Sequence, residues 1–137
     1  MNKIFNAAAF YAVLGLLAGV FYREYTRTLG FAGETHLSTL HTHLLVLGLL
    51  FFLVLLALGA TLRVYEHKQF NLFFWIYNAG VLWTTSMMAY KGVAEVQDPN
   101  FKLSPIMSGL SGIGHILITV GLFLLFVVLK KQIKKLG

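Results

Sequence analysis

Five histidines stand in a chain of 137 residues that is 58% hydrophobic and 12% charged. Imidazole offers a metal-binding lone pair and a proton that exchanges near neutral pH, so histidines in so apolar a sequence are where chemistry is first sought. His67 lies among Arg63, Glu66 and Lys68 and reads as a solvated loop residue. His36, His41, His43 and His115 instead lie at the edge of, or within, long apolar stretches. An ionisable group inside a membrane span is costly to keep and is a functional hypothesis by default. The chain has no cysteine, which excludes disulfides, iron–sulfur clusters, thiolate catalysis and covalent c-type haem attachment. A metal here would need imidazole or oxygen ligands, with Met87 and Met88 read as packing residues.

The elements that must carry these histidines are four apolar stretches, Ile4 to Tyr22, Leu37 to Leu62, Phe70 to Tyr90 and Pro105 to Leu129. A bilayer core of about 30 Å needs roughly 20 helical residues, which each stretch supplies. Backbone polar groups in hydrocarbon must be satisfied within the segment. The expected fold is therefore all-α: one polytopic domain, residues 1–137, with four transmembrane helices. No Ala-x-Ala site ends the first stretch, where Phe21-Tyr22-Arg23-Glu24 follows, so it is expected to be a mature helix rather than a cleaved signal. Thr35 or Ser38 is placed to cap the second helix, and Ser104-Pro105 to start the fourth. Gly15 and Gly19, four apart, permit close helix approach. Ser108, Gly109, Ser111, Gly112 and Gly114 give the fourth helix a small-residue face on which another helix or a flat cofactor could lie. The aromatic and polar residues of the third stretch read as interhelical packing with an interfacial belt.

The chain carries 11 Lys and Arg residues. Lys3, Arg63, Lys68, Lys130, Lys131, Lys134 and Lys135 fall on one side of the four stretches, and Arg23, Arg27, Lys91 and Lys102 on the other. This asymmetry predicts a multi-pass protein of the cell membrane with both termini cytoplasmic. The net charge of +6 then reflects orientation and attraction to anionic lipid, not nucleic acid. Under that topology His36, His41, His43 and His115 all belong to the outer half.

At about 100° per residue, His41 and His43 project some 200° apart, on opposite sides of one helix. One metal ion is not readily held by both. His36 and His43, seven residues apart, return to nearly the same face.

The stretch His41-Thr42-His43-Leu44-Leu45-Val46-Leu47-Gly48 resembles the His-x-His-Leu-x-x-x-Gly motif of haem-copper oxidase and nitric oxide reductase catalytic subunits. In that family the two histidines bind haems on opposite faces of one helix, in a twelve-span subunit built from three arcs of four. The resemblance implies that this four-span chain is one such arc. It implies a homotrimer with haem b at each subunit interface, His41 of one subunit and His43 of the next being the axial ligands. A bis-histidine haem of this kind implies electron transfer or redox and gas chemistry, with an unidentified redox partner. The family's copper site needs an adjacent His-His pair, which this chain lacks, so reduction of oxygen or nitric oxide at a binuclear centre is not implied.

His115 matches no family ligand and is open to three roles: a hydrogen bond to a haem edge, ligation of a second metal, or pairing with His43 within one subunit. Arg23, Arg27, Lys91 and Lys102 are the outer cations available to a haem propionate, and Arg23, directly after the first stretch, is the expected contact. Competing functions for the same residues are a small metal or proton transporter, with zinc or copper on His36, His43 and His115, and an accessory subunit of a larger membrane complex.

Overall fold

Of the two prolines, Pro99 lies between apolar stretches and Pro105 at the first position of one, where a helix tolerates it, so the long apolar runs fold without a proline break. The computed structural model describes residues 1–98 and 100–136. It contains helix α1, Asn2–Thr28, α2, Leu37–Leu62, α3, Phe70–Gln97, and α4, Pro105–Ile133. A 3₁₀ turn, Val64–Glu66, joins α2 to α3, and no strand occurs among the described residues. α2 coincides with its apolar stretch, whereas α1, α3 and α4 overrun theirs, because polar residues such as Arg23 to Thr28 keep helical backbone bonds beyond the apolar run.

Length and apolar character mark α1, α2 and α4 as able to cross a membrane. α3 is as long as they are, but Asn71, Asn78, Thr84, Thr85, Ser86, Lys91 and Glu95 dilute it. Several of these polar groups turn inward: Thr84 and Thr85 are buried, and Asn78 receives a hydrogen bond from Tyr11 Oη on α1 (2.9 Å). The outward faces of α1 and α4 are apolar stripes, including Val13, Leu17 and Val20 on one and Ile116, Phe123 and Phe126 on the other.

Ser104 caps α4 as its sequence position predicts, its hydroxyl accepting the Met107 N–H at 3.3 Å. The start of α2 differs from both expected caps. His36 occupies the cap position, while the Thr35 hydroxyl accepts the Leu37 N–H and donates to Gly92 O on α3. Arg63 ends α2 in the left-handed conformation, and its carbonyl accepts a bond from buried Gln132 near the end of α4 (2.8 Å). Lys3 bonds Asn71, and Lys131 bonds Gln69, so both termini and the α2–α3 connection lie at one end of the bundle. The α1–α2 connection lies at the other end, with the outer turns of α3.

The core is aromatic toward the end that holds the termini, where Tyr11, Phe52, Phe73, Phe74 and Tyr77 are buried together. Tyr11 of α1 lies directly over Gly48 of α2, where any side chain would collide with its ring. At the same level α2 changes form, because residues Leu44–Leu50 are π-helical. Phe51 N–H donates to Val46 O, five residues back, and Leu47 O accepts a bond from the Tyr77 hydroxyl (3.0 Å). A wider turn is favoured where a neighbour takes a freed carbonyl, and π segments are frequent at functional sites.

Candidate functional site

His41 and His43 belong to the α-helical first turns of α2 and immediately precede the π segment. The structure puts them on opposite faces, as their spacing predicts. His41 packs over Gly19 of α1 at ordinary contact distance. His43 instead faces a cleft of about 360 Å³ between α2, α3 and α4.

Three helical faces line that cleft. α2 contributes His36, Thr39 and His43; α3 contributes Thr84, Met87, Met88 and Lys91; α4 contributes Ser111 and His115. Each set follows the three- and four-residue steps of one helix face. Of the histidines expected to matter, the cleft thus gathers His36, His43 and His115 and leaves out His41. These residues do not close into a metal cage: among the described residues no group of three or more His, Cys, Asp or Glu side chains could hold a metal ion. The zinc arrangement on three histidines is therefore absent from the single chain.

The hydrogen bonds define the state of each imidazole. His43 Nδ1 is 2.9 Å from Thr39 O, and a carbonyl can only accept, so Nδ1 carries a proton and, in the neutral imidazole, Nε2 is the atom with the lone pair. A metal-ligating histidine almost always makes such a second bond, which fixes both tautomer and ring orientation. His41 lacks one, since its Nδ1 is buried and without a partner. His36 is held at both ends, with Nδ1 2.9 Å from Glu95 Oε1 and Nε2 3.1 Å from Lys91 Nζ. The lysine can only donate, so His36 is the neutral Nδ1–H tautomer in this network.

Glu95 also accepts the His36 backbone N–H at 2.8 Å. Burial pushes the Glu95 carboxyl upward, but the His36 backbone and side-chain bonds, helped by the nearby Lys91 charge, outweigh it and hold the group below its ordinary value. A larger polar cavity of about 560 Å³, lined by Tyr22, Glu34, Ser38 and Glu95 among others, adjoins the cleft through His36 and Thr39.

Thr84 supplies the most telling polar group in the cleft. It is 4% exposed, and its Oγ1 has no hydrogen-bond partner. Gly114 of α4 lies so close that a side chain there would strike the hydroxyl. An unpaired buried hydroxyl costs about 1–3 kcal/mol, so such a group normally finds a partner in protein, ordered water or a ligand. Gly109 and Gly112 have nothing from their own chain near them, so the small-residue face of α4 is open at those positions.

Arg23, the expected propionate contact, lies one turn outward of Gly19 on α1, on the His41 side of α2, and bonds Glu24 at 3.1 Å. The cation that shares the cleft with His43 is Lys91. His67 is a loop residue as expected, its Nδ1 accepting the Gln69 N–H. Burial, then Lys131, Lys135 and Lys68, keep its imidazole below the usual histidine value. Sequence reasoning named Lys91 only as one of four outer cations and Thr84 only as a polar residue of the third stretch, and it gave no role to Thr39 or Glu95. The steps 36, 39, 43 on α2 and 84, 87, 88, 91 on α3 are the pattern that could have placed three of them in one cleft.

Residues 1–132 match the family described as "Protein of unknown function (DUF2871)", and the chain belongs to that family. No curated protein and no solved structure matches it.

Proposed function

We propose that this member of the family crosses the cell membrane four times and binds haem b through His43, with electron transfer as its role. The observation that carries the reading is the His43 Nδ1–H bond to Thr39 O, which orients the ring of a residue that lines the cleft and makes Nε2 the ligating atom of its neutral form. A neutral imidazole oriented by a second hydrogen bond is the ligand a haem iron requires, and Met87, Met88 and Leu103 give the mixed lining of the cleft an apolar side. Haem would supply reversible one-electron storage at iron. The chain would hold the ligand plane, exclude water and tune the potential through the Thr39 bond.

α3 as the remaining crossing is supported by its 28-residue length and its inward-facing polar groups. The charge asymmetry supports cytoplasmic termini. The second axial ligand has two candidate sources. The resemblance of the His41-Thr42-His43 motif supports His41 of a neighbouring copy, and hence the homotrimer. His115 lines the same cleft as His43, an observation that favours pairing within one chain.

The test is the absorption spectrum of protein expressed with adequate haem and purified in detergent, with a pyridine haemochrome assay. A low-spin Soret band is expected in the wild type and in H67A, and its loss in H43A. No Soret band in the wild type would end the haem reading, and an unchanged spectrum in H43A would remove the ligand. H41A and H115A then separate the two sources: a trimer dependent on His41 supports the shared site, and a haem-loaded monomer dependent on His115 supports the single-chain one.

A further inference from the structure

We propose that Lys91 is the carboxylate anchor at the mouth of the α2–α3–α4 cleft and that its ligand is a haem propionate, an assignment that rests on the haem reading above. Lys91 stands seven residues after Thr84 on the same face of α3, about 10 Å further along the helix axis. The cleft therefore has an imidazole and a buried hydroxyl within it and an ammonium group beside its mouth.

Lys91 forms an ion pair with Glu95, whose Oε1 lies at 3.8 Å, too far for a hydrogen bond, and its hydrogen bond goes to His36 Nε2 at 3.1 Å. Glu95 is already engaged, receiving the His36 backbone N–H and facing the His36 imidazole. An ammonium has three donors, so Lys91 retains donors for a ligand. Its side chain is 30% exposed and is flanked by Met87, Met88 and Leu103 in the cleft lining, where charge pairs are stronger than in water. Arg23 offers a weaker case: its side chain is 76% exposed, and its guanidinium is paired with Glu24.

A planar amphiphile with an iron-ligating centre and carboxylates on one edge matches this polarity. Its iron would meet His43, its apolar edge would lie along the methionines, and its carboxylate would turn outward to Lys91. A free fatty acid presents the same carboxylate without a metal centre, so the experiment must separate the two sources.

The protein stripped of haem is titrated in detergent with haem b and with its dimethyl ester, which keeps the iron and ring but loses both negative charges. Wild type is expected to prefer the diacid by about tenfold, the scale of one charge-assisted hydrogen bond. K91Q should bind the diester as the wild type does while losing that preference, and K91R should restore it. Normal diester binding by K91Q also shows that the variant is folded. Unchanged preference in K91Q, or loss of preference in R23Q instead, overturns the assignment and leaves the haem reading intact. Equal wild-type affinity for diacid and diester, together with Lys91-dependent binding of oleate, assigns the lysine to a lipid carboxylate and overturns the propionate contact. Binding of neither porphyrin overturns both proposals.

Discussion

Replacing Thr84 with valine tests the cleft at its most unusual atom. Valine has nearly the same shape as threonine but puts a methyl group where the hydroxyl is, so the packing against Gly114 is largely retained. The wild-type hydroxyl is buried without a partner, a state that costs about 1–3 kcal/mol. In protein stripped of ligand, T84V should therefore be more stable than the wild type by about 1–2 kcal/mol. For a chain of 137 residues, the usual unfolding entropy of about 2 cal/mol/K per residue converts this to a rise in melting temperature of roughly 3–7 °C. T84A is the contrasting variant, because it removes the same hydroxyl but leaves a small void that offsets the gain. Circular dichroism melts in one detergent, without and with haem, read both states. If the hydroxyl serves a ligand, the advantage of T84V should shrink or reverse when the site is filled. A ligand-free T84V that melts below the wild type would refute the reasoning, since it would mean that the hydroxyl already has a partner.

Other perturbations follow from the same contacts. Gly48→Ala drives a methyl group into the Tyr11 ring, so a loss of about 1–3 kcal/mol or more is expected, visible as a lower melting temperature or aggregation in detergent. Tyr77→Phe removes the donor to Leu47 O and should cost about 1 kcal/mol, read from the same melts. Because Glu95 titrates below its ordinary value of 4.5, its contribution is complete above that pH and is lost as pH falls through the lowered value. The melting temperature of the wild type should therefore decline at acid pH, and E95Q should flatten that decline. Gln132→Ala leaves the Arg63 carbonyl without its side-chain donor and should loosen the end of the bundle that holds the termini, seen as faster hydrogen exchange in residues 63–69.

The sequence made the divergence of the histidines legible, because two residues along an α-helix always turn nearly half a circle. His41 over Gly19 and His43 in the cleft express that constraint. The start of α4 was equally legible, since a serine before a proline satisfies local backbone needs. The π segment was not, because its causes lie in other helices: Tyr11 pressing on Gly48 and Tyr77 taking the Leu47 carbonyl. Nor could composition reveal that the Thr84 hydroxyl would be among the buried polar atoms left without a partner. That depends on Gly114 arriving from a helix thirty positions away. The apolar character of α3 was overestimated although Asn71, Asn78, Thr84, Thr85 and Ser86, which dilute it, are plain in the sequence; only the packed bundle shows that several of them turn inward.

The π-helical stretch Leu44–Leu50 also bears on how α2 tolerates changes in length. A π turn holds one residue more than the α turn it replaces. Deleting a single residue between His43 and Phe51 can therefore be absorbed by a return to ordinary α-helix, with the histidines and the aromatic core keeping their faces. The same deletion elsewhere in α2 would swing one end of the helix by about 100° relative to the other. Gain and loss of one residue should thus be confined to this stretch among related sequences, making it the natural splice between the histidine-bearing end of the helix and the part that packs the core.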